Sequence, residues 1–99
     1  MIDDVMWRQV EENPNRSIPY YLMASYGYYI EDSPFLTDHC YDKLARYIHD
    51  NWDSIQHPHK QHLTQSDLRA GTFLGEYPTI VKGAVADIRS RYAGIGVYT

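Results

Sequence analysis

Four proline turns divide the chain, and between them the apolar residues recur at three- and four-residue steps. The turns are Asn13-Pro14-Asn15, Asp32-Ser33-Pro34, His57-Pro58-His59 and Tyr77-Pro78. Proline lacks an N–H and pushes the residue before it out of the α region, so each turn ends a helix or starts a new one. No segment alternates with period two over the length of a strand; residues 72–76 and 95–98 are the only short β candidates. The pattern predicts an all-α fold, a small helical bundle of four to five helices built around an antiparallel helical hairpin. A chain of 99 residues has room for one modest core, so residues 1–99 are read as a single domain.

The helices follow from capping and spacing. The first is expected over Asp4 to Glu12, with Val5, Met6 and Val10 inward and Asp3 or Asp4 as its cap. The second runs from Ile18 to Glu31, capped by Ser17, with Pro19 in its first turn. Ile18, Leu22 and Ser25 form its stripe, flanked by Tyr21 and Tyr28, and Gly27 marks a close packing point or a path for a ligand. The third begins at the N-cap Thr37, with Asp38 at the positive end of its dipole, and carries Tyr41, Leu44, Ala45, Ile48, Trp52 and Ile55. Thr64 and Asp67 form a capping box for a short helix that Gly71 would close. The last helix starts near Thr79, presents Ile80, Val81, Ala84, Val85, Ile88 and Tyr92 inward, and ends at Gly94.

Charge narrows the function. Nine Lys and Arg against thirteen Asp and Glu leave a net charge of −4, a poor balance for generic nucleic-acid binding, which needs cations for the phosphates. The single cysteine, Cys40, excludes an internal disulfide and suits a reducing compartment. No stretch is long and apolar enough to span a membrane, and neither a secretory signal nor an anchor motif is read at the ends. The expected location is cytoplasmic, the host cytoplasm if the protein is phage-encoded. Ten of the 99 residues are tyrosine, and these need an explanation.

The segment from Tyr28 to Leu44 is a helix end, a proline turn and a capped helix start. Asp38 and Asp42 are four residues apart and share a helix face. Tyr41 lies between them, and Tyr28 faces them from the preceding helix. Two carboxylates beside two aromatic rings suit a flat cationic ring, because tyrosine faces attract cations and carboxylates accept hydrogen bonds from amides or ribose hydroxyls. The plainer alternative is that Asp38 serves the helix dipole, Asp42 is solvated and the tyrosines are core.

The pattern Tyr-x₃-Asp-x-Pro-x₃-Asp-x₂-Tyr-Asp-x-Leu resembles the N-terminal helical subdomain Ia of NAD⁺-dependent bacterial DNA ligases. The stretch Trp-Asp-x-Ile-x-His-Pro-His at 52–59 is similar to one in small stand-alone phage proteins described as ligase-related. The ligase-like match covers about 20 residues. It implies a subdomain that grips the nicotinamide mononucleotide (NMN) half of NAD⁺. Tyr28 and Tyr41 would flank or stack on the nicotinamide ring, and Asp38 and Asp42 would bind its carboxamide or the ribose. The family commonly has His directly after the first Tyr; here Tyr29 stands there, so a phenol replaces that contact. The family's adenylating Lys-x-Asp-Gly motif has no counterpart among Lys43, Lys60 and Lys82. No catalytic activity is therefore expected of this chain.

Other motifs read as structural. His57, His59 and His62 have metal-ligand types, but their flanking Pro58 and Lys60 indicate an exposed loop, and no metal is expected. His39 cannot readily activate its neighbour Cys40, since adjacent helix residues point apart, so Cys40 reads as a small apolar residue. Gly71-x₃-Gly75 lacks a phosphate-loop ending, and Arg89-Ser90-Arg91 reads as an exposed helix face. Tyr20, Tyr21, Tyr26 and Tyr29 go around the second helix, so Tyr20, Tyr26 and Tyr29 are expected at a surface that a partner could use.

The leading expectation is a non-catalytic nucleotide-binding module for NMN, NAD⁺ or a related ribonucleotide, using Tyr28, Tyr29, Asp38, Tyr41 and Asp42. No cofactor is required; NAD⁺ or NMN would be the ligand. The alternative is a phage-encoded protein-interaction module, an inhibitor or adaptor of a host protein with an anti-defence role, reusing the ligase Ia scaffold. The third is an accessory subunit of a split NAD⁺-dependent DNA ligase. Exposed aromatics also suit a homodimer.

Overall fold

A computed structural model of the chain describes residues 1–70 and 77–92, and every element in it is helical. Helix α1 spans Asp3–Glu12, α2 Ser17–Ser25, α3 Asp38–Asp50, α4 Gln65–Ala70 and α5 Thr79–Tyr92. Short 3₁₀ turns at Pro14–Arg16 and Pro58–His62 link them, and α2 runs on into a π-helical turn, Tyr26–Ile30. The small helical bundle expected from the periodicity is the observed fold. The expectations for Gly71, Gly75, Gly94 and segments 72–76 and 95–98 lie outside the described residues, as does the side chain of Tyr92.

Asp3 does not cap α1. The cap position is Ile2, whose backbone N–H instead donates to the Phe35 carbonyl at 2.9 Å. Both Asp3 oxygens turn outward to Thr37, accepting from its N–H at 3.0 Å and its hydroxyl at 2.7 Å. Thr37 in turn accepts from the Cys40 N–H at 3.2 Å, the N-cap bond that starts α3. One carboxylate thus fixes the cap of a helix 34 residues away.

Ser17 is not a cap either. Asn13 opens that helical stretch, its side chain accepting from the Asn15 N–H at 3.1 Å ahead of Pro14. Ser17 lies inside the continuing helix, buried, and donates to the Pro14 carbonyl at 2.7 Å. Ile18, Tyr21, Leu22, Met23, Ala24 and Ser25 are all buried. A helix that is apolar all round belongs in the interior, and α2 is the central helix, packed by α3, α5 and both 3₁₀ turns. Of the tyrosines that circle it only Tyr21 is fully buried; Tyr20 and Tyr26 are half-buried against the core, and Tyr29 is exposed.

The other helices follow their local signals more closely. Thr64 and Asp67 form the reciprocal capping box, with bonds of 3.0 and 3.1 Å. Helix α3 stops at Asp50, short of Trp52 and Ile55, because Asn51 turns its amide back onto the Tyr47 carbonyl at 2.8 Å. Ile55 still reaches the core from the following turn. The Lys60 ammonium holds that turn by donating to the Trp52 and Ile55 carbonyls and sits 4.5 Å from the Trp52 ring centroid. On α5, Val81, Val85 and Ile88 are buried, but Ile80 is 67% exposed and leaves the predicted stripe.

Candidate functional site

The site is set by how the hairpin between α2 and α3 turns. After Ser25 the chain adopts i→i+5 bonding, so the side chains lose the three- and four-residue register that buried Ile18, Leu22 and Ser25. Tyr28, Tyr29 and Ile30 consequently face outward, at 37%, 36% and 59% exposure. The turn closes with the Ser33 N–H donating to the Gly27 carbonyl at 2.8 Å and Asp32 at a φ of 52°. That left-handed conformation follows a helix end, where Asp is among the few non-glycine residues that tolerate it. Gly27 is buried, and a Cβ there would meet Phe35 at 3.1 Å and Arg89 at 3.2 Å. Its role is close packing.

Arg89 of α5 clamps this turn. Its guanidinium donates to the Glu31 carboxylate at 2.9 Å, to the Ser33 carbonyl and to the Ser33 hydroxyl, over the Phe35 ring. Arg89 is thus half-buried, not part of the exposed helix face expected for residues 89–91. Its partners are more than 50 residues away, so no local signal could reveal the contact.

Tyr28, Tyr29, Asp38, Tyr41 and Asp42 line one cleft of about 210 Å³. The π turn and the first two turns of α3 supply all five. Tyr41 is 5% exposed, and its hydroxyl pairs with that of Ser25 at 2.7 Å. Its ring stacks on Tyr21 on one side, with centroids 5.1 Å apart and planes at 12°, and on Tyr28 on the other, at 6.0 Å and 8°. A ligand ring inserted between Tyr28 and Tyr41 would have to part that stack. Tyr41 therefore forms the floor of the cleft, while Tyr28 and Tyr29, edge-to-face at 4.9 Å, form its aromatic wall.

The electrostatics favour a cation or a hydrogen-bond donor. Asp38 and Asp42 are exposed and one helical turn apart. The Tyr29 phenol is held above the usual tyrosine range, chiefly by burial and then by Tyr28, Asp42 and Asp38. It stays protonated at neutral pH. The cleft thus combines two acceptor carboxylates, a neutral phenol and two exposed rings.

The remaining candidates fall outside this site. His57, His59 and His62 sit edge-to-face on the second 3₁₀ turn, and the described residues contain no group of three or more His, Cys, Asp or Glu arranged to hold a metal ion. The Cys40 thiol is buried and pushed up to about 12, first by burial and then by Asp3, so it stays protonated and unreactive. No helix among the described residues is long and apolar enough to cross a membrane. Comparison with known protein families, curated proteins and solved structures found no match to this chain.

Proposed function

We propose that the protein is a binding module without chemistry of its own, and that the Tyr28–Tyr29–Asp38–Asp42 cleft grips the nicotinamide mononucleotide portion of NMN or NAD⁺. The observation that carries this reading is that four residues of the pattern, Tyr28, Asp38, Tyr41 and Asp42, line one cleft together with Tyr29. An N-substituted nicotinamide ring is flat and cationic, which matches exposed phenol rings beside carboxylates. Its carboxamide N–H₂ and the ribose hydroxyls donate to acceptors such as Asp38 and Asp42. The resemblance to the ligase Ia subdomain points to the same ligand. Calorimetry with NMN and with NAD⁺ tests the reading. Saturable heat is expected, with Asp38→Ala weakening binding by about 1–3 kcal/mol; no heat at millimolar ligand would end it.

A second reading has its own observation. Tyr28, Tyr29 and Ile30 are consecutive, exposed and aromatic or aliphatic, a composition suited to a protein contact. In that reading the module is an inhibitor or adaptor of a host protein. Calorimetry separates the two, since a protein-only surface gives no heat with NMN.

A further inference from the structure

The aromatic–acidic cleft does not end at Asp42. That residue also lines a larger cleft of about 440 Å³ between α3 and α4, which holds Arg46, His49, Asp50 and Arg69. Asp38, Asp42 and Arg46 follow at i, i+4 and i+8, so they share one face of α3 with about 6 Å of rise between successive members. Arg69 reaches the same cleft from the last turn of α4.

Arg16, Arg89 and Arg91 each meet a carboxylate, Glu12, Glu31 and Asp87, at 2.8 Å. Arg8, Arg46 and Arg69 make no ion pair among the described residues, and of these three Arg46 and Arg69 line one cleft together. Asp42 and Asp50 line the same cleft, and Asp50 contacts His49 at 3.3 Å. Two exposed guanidinium groups from different helices line this cleft, and each carries the planar fork of donors that suits a phosphate monoester.

We infer that the α3–α4 cleft is a phosphate subsite, in which Arg46 and Arg69 bind the 5′-phosphate of a nucleotide whose ring and ribose lie in the Tyr28–Asp42 cleft. The inference rests on the nicotinamide-nucleotide reading and adds the polarity of the bound ligand to it. Asp42, at the junction, takes a ribose hydroxyl. The phosphate points along α3 toward Asp50, away from the carboxylate of Asp38.

Calorimetry on the full chain with NMN and with nicotinamide riboside, which differ only by the phosphate, tests it. The riboside should bind about tenfold or more weakly. Arg46→Gln and Arg69→Gln should each lower NMN affinity toward that of the riboside. Arg8→Gln, the same charge change at an exposed position on α1, should leave NMN affinity unchanged. Equal affinity of the wild-type for NMN and riboside would overturn the subsite and leave the ring-and-ribose reading standing. An equal loss from Arg8→Gln would also overturn it, since general charge would then explain the effect. Absence of binding by both ligands would overturn the two readings together. All three arginines are exposed, and thermal melts of the variants should overlay the wild-type.

Discussion

The hydroxyls of Ser25 and Tyr41 meet at 2.7 Å in the interior, joining the last α turn of α2 to the first turn of α3. The pair lies directly beneath the candidate cleft. It satisfies two buried polar groups at once, and it commits the Tyr41 hydroxyl to the fold and away from any ligand.

Removal of one partner takes from the other its 2.7 Å bond. Tyr41→Phe should destabilise the protein by about 1–3 kcal/mol, the cost of taking a bond from a buried hydroxyl. Ser25→Ala added to it should recover part of that loss, because both polar groups are then gone. Chemical denaturation of the two single variants and the double variant measures the coupling. Strictly additive losses would contradict the pairing.

Gly27→Ala sets two effects against each other. Alanine gains about 1 kcal/mol of helix propensity. Its Cβ, however, would sit 3.1 Å from Phe35, which is fully buried and cannot retreat, and 3.2 Å from the end of Arg89, which can. Overpacking costs about 1–3 kcal/mol, so the net is a loss of about 1 kcal/mol. A variant more stable than the wild-type would show that Phe35 yields easily.

At Asp32, φ is 52°, so backbone strain depends on the side chain. Asp32→Val should cost about 1–2 kcal/mol, since a β-branched residue resists the left-handed region. Asp32→Gly should cost little or nothing. Thermal unfolding of both variants distinguishes them, and equal melting temperatures would mean that the turn relaxes to another conformation.

Stability should fall at both ends of the pH range. Burial pushes the Tyr21 phenol up to about 12 and raises Tyr41 and Tyr77 as well. Unfolded tyrosine titrates near about 10, so above that pH the unfolded chain has released protons that the folded chain keeps. The tyrosine contribution is therefore complete below about pH 10 and is lost as pH rises. His57 acts in the other direction, because burial and then His59 lower its imidazole. Its contribution is present above about pH 6.5 and is lost as pH falls. A series of thermal melts should show a plateau between these limits, and a midpoint that keeps rising into the alkaline range would contradict the assignment.

What was readable in the residues was what depends on near neighbours. Thr37 as an N-cap and the Thr64–Asp67 box follow from side chains three positions from the backbone groups they serve, and the α5 start at Thr79 follows directly after Pro78. Phe35 and Arg89 closing on Gly27, Asp3 turning to Thr37 and Arg89 gripping Glu31 and Ser33 join distant segments, and periodicity carries no information about them. Ile80 fits an inward stripe by spacing, yet nothing in spacing says where the neighbouring helix stops. The tyrosines spaced around α2 are the signal in the residues that this helix is central. The cleft was legible in part: the hairpin and the i, i+4 carboxylates follow from the pattern. The burial of Tyr41 between Tyr21 and Tyr28 does not, because it depends on how the π turn rotates Tyr28.

Whether NMN occupies this one cleft is decided by an NMR titration of the isotope-labelled protein with NMN. Saturable shifts are expected in the rings of Tyr28 and Tyr29 and the amides of Asp38 and Asp42, with His57, His59 and Ile80, which line a separate cleft, unmoved. Spectra that stay unchanged at millimolar NMN, or shifts centred on His57, His59 and Ile80, would contradict it.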